Sequence, residues 1–209
     1  MLLEFRDVWK SFGNGYVIRG ITLTLDRGEL VAIVGPNGSG KTTILRLASG
    51  LIAPSRGEVL VGGKDARRPA AKALLGYVPH YPPLYGDLTV RENLIYYAGL
   101  YGYADLSNVE PILGELGLDA FLDRRVAELS YGWRKRVDMV RALLHDPPLL
   151  LIDEPFSGLD DAGRRWLVDF LTRSVSAGKT VVMTSPRADV ELEAKVYEIR
   201  EGRLSAVTG

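Results

Sequence analysis

Residues 35–42 read GPNGSGKT, a G-x-x-x-x-G-K-[ST] spacing suited to gripping a phosphate chain. Glycines at these intervals let the backbone curl until successive N–H groups face inward and hold anionic oxygens. A helix starting at the end of the turn adds the positive end of its dipole. Lys41 can then reach β- and γ-phosphates, and the Thr42 hydroxyl can bind Mg²⁺. A second constellation, LLLIDEP at 149–155, ends an apolar run on adjacent carboxylates, Asp153 and Glu154. Such a pair is costly without a cation or hydrogen bonds to compensate it. Asp153 is the candidate to hold Mg²⁺ through water, and Glu154 to polarise an attacking water. Taken alone the pair also reads as a helix-capping Asp beside a solvated Glu; the phosphate cradle upstream favours the catalytic reading. The nucleotide-binding candidates are Gly35, Asn37, Gly38, Ser39, Gly40, Lys41, Thr42 and Thr43. The metal-ligand candidates are Thr42 and Asp153, and the catalytic ones are Glu154 and Lys41.

A cradle of this kind needs a buried strand before it and a helix after it. The chain supplies both. ELVAIVG is a short unbroken apolar run, as expected of a strand buried on both faces, and TTILRLASGL is a helix that Gly50 should end. Upstream, LLEFRDVW and VIRGITLTL alternate apolar and polar residues, as strands do. GEVLVGGK and LLGYVP read as further strands. From about Tyr81 the apolar spacing changes to three and four, which predicts a helical insert over 81–143. Strands return in PPLLLIDEP and KTVVMTS, with a helix over 161–177 between them. The end of the chain, AKVYEIREGRLSAV, reads as a hairpin turned at Glu201-Gly202. The expected fold is α/β: a P-loop NTPase core with a mostly parallel sheet and the nucleotide at the strand C-termini, an antiparallel β flank, and a helical subdomain. Its parts are a core over 1–80 and 144–209 and the helical subdomain over 81–143.

Composition removes several other functions. The chain has 209 residues, 46% hydrophobic and 25% charged, enough for an ample core. Lys+Arg and Asp+Glu both number 26, so the net charge is zero, a balance that gives no overall electrostatic footprint for nucleic acid and leaves only a local patch open. There is no cysteine, which excludes disulfides, thiol chemistry and Cys-based metal sites. Only His80 and His145 are histidines, against a His-rich metal centre. Charges interrupt the N-terminus from residue 4, and no run approaches the ~20 apolar residues of a membrane helix. The chain reads as cytosolic, with any membrane partner a separate polypeptide.

The order GPNGSGKT, GYVPH, LSYGWRKR, LLLIDEP, FSGLD resembles the ATP-binding cassette family, the ATPase domains of ABC transporters. The likeness runs along essentially the whole chain. Kinases and small GTPases share the first motif but lack this order and the long helical insert. The resemblance implies an aromatic about thirty residues before the lysine that stacks on adenine. Phe12 stands there, with Tyr16 as fallback; the competing reading of Phe12 is a strand-end core residue. It implies a glutamine after GYVP that contacts Mg²⁺ and the attacking water; here His80 takes that place. An unperturbed histidine accepts a hydrogen bond at neutral pH but protonates near ~6.5, and a cation there opposes Mg²⁺. The competing reading is a solvated loop histidine before the Pro82-Pro83 kink. Asp160 in SGLD matches a loop along the dimer interface, and also reads as an N-cap.

LSYGWRKR departs furthest from its counterpart, LSGGQ, which in the family closes in trans over ATP held by a second cassette. Ser130 and Gly132 keep the hydroxyl and the bare backbone that phosphate requires. Tyr131 replaces a glycine and is strained if the position needs a positive φ. Trp133 replaces the glutamine, and Trp133, Val137, Val140 and Leu144 form one helical stripe, so Trp133 also reads as core. Arg134, Lys135 and Arg136 read as a solvated face. Near the C-terminus the family's γ-phosphate histidine falls on Pro186, with Ser185 one step off, and proline has no donor.

The resemblance therefore implies an ATP-binding and hydrolysing subunit of an ABC transporter that uses ATP and Mg²⁺, slow for want of that histidine. Its partners would be a second cassette, in a head-to-tail homo- or heterodimer, and a separate transmembrane permease that chooses the substrate. No direct nucleic-acid partner is implied. GYVPHYPPLYGDLTVRENLIYYAGLYG looks most like export cassettes. The implied location is cytoplasmic, peripheral at the inner face of the cell membrane. Two alternatives stay open: a slow or regulatory ATP-binding partner in a heterodimer, and a soluble ABC ATPase such as the iron–sulfur assembly type.

Overall fold

A computed structural model describes residues 1–13, 15–186 and 192–207. The chain opens with β1 (Leu3–Phe12) and β2 (Gly15–Leu25), then β3 (Leu30–Val34) and α1 (Lys41–Ala48). Next come β4 (Arg56–Val61), β5 (Lys64–Asp65), α2 (Pro69–Lys72) and β6 (Leu75–Val78). The stretch up to residue 148 is helical, with α3 (Val90–Leu100), α4 (Glu110–Glu115) and α5 (Tyr131–Leu143). β7 (Leu149–Ile152), α6 (Asp161–Ser176), β8 (Thr180–Ser185), β9 (Lys195–Arg200) and β10 (Arg203–Ala206) complete the order.

Two sheets result. One is antiparallel, with order β2-β1-β4-β5; the other has six strands in the order β10-β9-β3-β8-β7-β6. β9, β3, β8, β7 and β6 run parallel, and only β10 is antiparallel, as the partner of β9 in the C-terminal hairpin. That hairpin turns where the sequence placed it, on Glu201 and Gly202, both at positive φ of 48° and 77°. A two-residue turn with both residues left-handed matches the right-handed twist of its strands.

The apolar runs have a simple cause. Along β7, Leu149 and Leu151 face a cluster shared with α1 and the antiparallel sheet, while Leu150 and Ile152 face one shared with α5 and α6. A strand covered on both sides has no solvent face to make polar, and each such side chain contributes about 1.5–3 kcal/mol on burial. A third cluster joins α3, α4 and α5, with Val90, Leu94 and Ala98 packed on Val137, Val140 and Leu144. α3 starts at a capping box: Thr89 Oγ1 accepts from Glu92 N at 3.1 Å and Glu92 Oε2 accepts from Thr89 N at 2.8 Å. Among the described residues no helix is long and apolar enough to cross a membrane.

α5 is buried on two faces. The Trp133–Val137–Val140–Leu144 stripe meets the helical cluster, and Met139, Ala142 and Leu143 meet the parallel sheet. It lies between the helical part and the sheet core, which decides what its remaining side chains can touch.

Candidate functional site

The turn between β3 and α1 carries the cradle. Gly40 caps α1 at φ 111°, a conformation open to glycine and strained for other residues, so the chain can leave the loop and enter the helix at once. The Lys41 ammonium is buried and rests on two carbonyls of its own loop, Gly35 at 2.7 Å and Pro36 at 3.0 Å. The Thr42 hydroxyl donates to Asp153 Oδ2 at 2.8 Å, across 111 residues of chain. Parallel pairing of β3 with β8 and of β8 with β7 produces this meeting, because it sets their C-terminal ends side by side.

Thr184, the penultimate residue of β8, ties the acidic pair together. Its hydroxyl donates to Asp153 Oδ1 at 2.6 Å and accepts the Glu154 N–H at 2.9 Å. Glu154 itself sits at φ 47°. Its Oε2 lies 3.6 Å from His80 Nδ1, so the histidine belongs to the site and is not merely a solvated loop residue.

These groups open on one cleft of about 480 Å³. Of the residues expected from the sequence, Asn37, Gly38, Gly40, Lys41, Thr42, Thr43, His80, Asp153 and Glu154 line it. Gly35 and Ser39 belong to the loop beneath. Val17, Arg46 and Tyr77 also line the cleft and were not anticipated. Tyr77 was signalled by alternation along β6: Leu75 and Tyr77 share the face that meets α1. Burial pushes its phenol up to about 12, with Asp153 adding to the shift, so the hydroxyl stays a neutral donor. Ser39 Oγ, Tyr77 OH and His80 Nδ1 are buried polar atoms without a hydrogen-bond partner. Orphaned polar atoms around a cradle call for a polar ligand.

Phe12 is neither core nor wall. It ends β1, 54% exposed, with the Lys10 ammonium 5.0 Å from its ring centre, and Val17 lines the cleft instead. Tyr16 is equally exposed and packs edge-on against Trp9.

Ser130, Gly132 and Asp160 stand apart from the cradle, around a second concavity of about 360 Å³ that they share with Tyr131, Trp133 and Gly158. Ser130 is the N-cap of α5 in extended conformation, but its side chain makes no capping bond. Tyr131 is the first helical residue and has no positive φ, so the strain expected there is absent. Its ring fills the space above Gly158, where a Cβ would come within 2.5 Å of it, and its hydroxyl donates to the His80 carbonyl at 2.6 Å. Asp160 caps α6 by accepting from Gly163 N at 2.8 Å, as its N-cap reading required. Trp133 is half-buried against Phe121, ring centres 4.1 Å apart, under the Arg136 guanidinium.

The solvated reading of Arg134-Lys135-Arg136 holds for Arg134 and fails for the other two. Lys135 is 1% exposed, and its ammonium donates to the Asp153 and Glu154 carbonyls at 3.1 and 2.9 Å. Burial pushes it down to about 8, against the pull of Asp138, Asp153 and Glu154. Arg136 covers Trp133 and reaches Leu116 O and Asp160. The missed signal is the second buried face of α5: Lys135, Met139 and Ala142 recur at helical spacing on the side of the sheet. Pro186 is exposed directly after β8, and the neighbouring Arg187 lies outside the described residues.

Residues 18–157 match the family model described as ABC transporter. The chain belongs to the ABC transporter family. It is 38% identical over 188 residues to a Nod factor export ATP-binding protein I of Paraburkholderia xenovorans (strain LB400), a match covering 88% of this chain and 62% of that protein. The chain thus spans about three fifths of the length of the curated relatives it matches. A solved ATP-binding subunit of an ABC transporter superposes with a TM-score of 0.91 at 31% identity, covering 100% of this chain and 90% of that one. A dimeric ATP-binding cassette in a post-hydrolysis state with ADP and Pi superposes with a TM-score of 0.87 at 25% identity, each chain covered in full. The fold is that of the family's ATP-binding cassette, as the order of motifs implied.

Proposed function

We propose that this chain binds ATP with Mg²⁺ and hydrolyses it as the nucleotide-binding subunit of an ABC exporter. The observation that carries the reading is the single cleft in which the Lys41 cradle faces Asp153 and Glu154. Backbone N–H groups of 35–42 and the Lys41 ammonium hold the phosphates. Glu154 takes the proton of the attacking water. Thr42 directly and Asp153 through water would hold Mg²⁺, a hard-oxygen donor pair already 2.8 Å apart. When bound, the ion neutralises charge on the phosphate oxygens as the bond breaks. Phe12 and Tyr16, both exposed, are the aromatic candidates for the base.

The exposed Ser130 and half-buried Gly132 at the start of α5, lining a concavity apart from the chain's own cleft, suit a head-to-tail dimer in which each closes on its partner's ATP. His80 would carry the glutamine's role toward ion and water, and Asp160 would lie along the dimer seam. A separate membrane permease would bring the chain to the inner face of the cell membrane, and the Nod factor export relatives support the export direction. The balanced charge supports a role without nucleic acid.

Lys41→Ala tests the reading. It removes a desolvated contact to phosphate, so ATP affinity should fall and turnover should vanish in a phosphate-release assay; turnover equal to wild type would sink the assignment.

A further inference from the structure

Glu154 begins a turn closed by a hydrogen bond of its own, from Ser157 N to the Glu154 carbonyl at 3.2 Å, which leaves the peptide before Glu154 to be held by other elements. The Glu154 φ of 47° is left-handed, a strained conformation for a residue with a Cβ, and it persists only where its surroundings impose it. One side-chain restraint is Thr184, which accepts the Glu154 N–H at 2.9 Å and donates to the Asp153 carboxylate. The other is Lys135. Its ammonium is almost wholly buried, lines no part of the nucleotide cleft, and donates to the two successive carbonyls of Asp153 and Glu154. Between them Thr184 and Lys135 grip the peptide planes on both sides of the Glu154 Cα. With both planes held, φ and ψ of Glu154 are determined, and so is the direction in which its carboxylate leaves the backbone. That direction brings Oε2 into the cleft, 3.6 Å from His80 Nδ1.

We propose that Lys135 is a positioning residue for Glu154, its buried ammonium clamping the turn that aims the water-activating carboxylate. The inference rests on the hydrolytic reading given above. A buried ammonium is expensive in any core and is tolerated only where several acceptors compensate it. Here the compensation comes from backbone carbonyls, which an apolar residue of the same length cannot engage. The placement has a second consequence. Ser130 and Gly132 stand at the N-terminus of the helix that carries Lys135. One rigid element therefore joins the surface offered to a partner's nucleotide to the base that acts on the chain's own.

The test uses the full chain with ATP and Mg²⁺, comparing Lys135→Met, Lys135→Gln, Glu154→Gln and the double variants. ATP affinity comes from equilibrium titration and kcat from single-turnover phosphate release. Misaiming a catalytic group by about 1 Å can cost ~10²-fold, so Lys135→Met should lower kcat ~10–100-fold with ATP affinity unchanged. Lys135→Gln keeps an N–H donor and should fall between Met and wild type. In the Glu154→Gln background the Lys135 substitutions should change the residual rate little, since their effect runs through the missing carboxylate. Wild-type kcat in both Lys135 variants, parallel loss of kcat and ATP affinity, or the same loss with and without Glu154 would each overturn the proposal. If Lys135→Met does not fold, Lys135→Gln carries the same cycle by the same criteria. A wild-type rate for Glu154→Gln alone would overturn the hydrolytic reading, and the Lys135 proposal with it, whereas a slow Glu154→Gln beside an unaffected Lys135→Met removes only the latter.

Discussion

The Tyr131 hydroxyl donates a 2.6 Å hydrogen bond to the carbonyl oxygen of His80, tying the first turn of α5 to the loop that leaves β6. A tyrosine stands here where the family resemblance implied a glycine, and its length bridges the start of α5 and the loop after β6. Burial raises its phenol, with Tyr81 and Glu154 adding to the shift, so it stays a neutral donor. Tyr131→Phe removes the bond and leaves the ring over Gly158. The expected loss is about 0.5–1.5 kcal/mol of stability, read from the midpoint of urea unfolding at constant slope. An unchanged midpoint would show that water serves the His80 carbonyl equally well.

Glu154→Gln should stop hydrolysis while leaving ATP bound, since an amide takes no proton from water. If Ser130 and Gly132 close over a partner's ATP, the bound nucleotide then locks a dimer. Light scattering with ATP and Mg²⁺ reads this directly. A strictly monomeric, ATP-bound variant would count against self-pairing and point to a different cassette as the natural partner.

Pro186 bears on the rate. It follows β8 immediately, so the backbone that places Thr184 against Asp153 and Glu154 also places residue 186, and a proline there offers no donor. Losing one positioned donor to a charged transition state costs ~3–4 kcal/mol, a factor of about 10²–10³ in rate. Wild-type protein should therefore bind ATP well and turn it over slowly, and Pro186→His should raise kcat without tightening ATP binding. Brisk turnover by the unmodified chain would mean that another group, Ser185, His80 or a water, already supplies the contact.

His145 predicts a pH dependence of stability. It stacks on Tyr101 with ring centres 3.9 Å apart and sits 3.1 Å from Leu75 O through Nε2. Burial lowers its pKa, with Arg141 and Lys179 acting the same way and the Leu75 bond and Asp146 opposing. The folded state thus takes up this proton at lower pH than the unfolded chain. Stability should be full above about pH 6.5 and be shed as pH falls from there through the folded value. Thermal unfolding midpoints measured across that window should drop on acidification, and His145→Phe, which keeps the stack without the proton, should flatten the slope. An equal slope in both proteins would place the acid sensitivity elsewhere.

Much of the site was legible in the linear chain because its chemistry is local. The cradle is one turn, and the need for backbone N–H groups to converge dictates glycines at set intervals within eight residues. The parallel sheet announced itself because strands covered on both faces admit no polar alternation, and β7 reads as LLLI for that reason. The hairpin at Glu201-Gly202 and the N-cap at Asp160 likewise depend on neighbours a few residues away.

Lys135 shows where that legibility stopped. In the sequence it is one cation in a basic run. It is buried because α5 lies between two layers, and only the packing of those layers decides which of its faces meets solvent. Thr184 gave no signal either, for it lies 31 residues from Asp153 and meets it through the pairing of β7 with β8. The same holds for Tyr131 and His80, 51 residues apart. Residue types and spacing pointed to the phosphate cradle at 35–42, since its groups are neighbours in the chain. Only the tertiary structure decided what aims Glu154, since those groups come from separate elements and are brought together by burial, which no short-range pattern encodes.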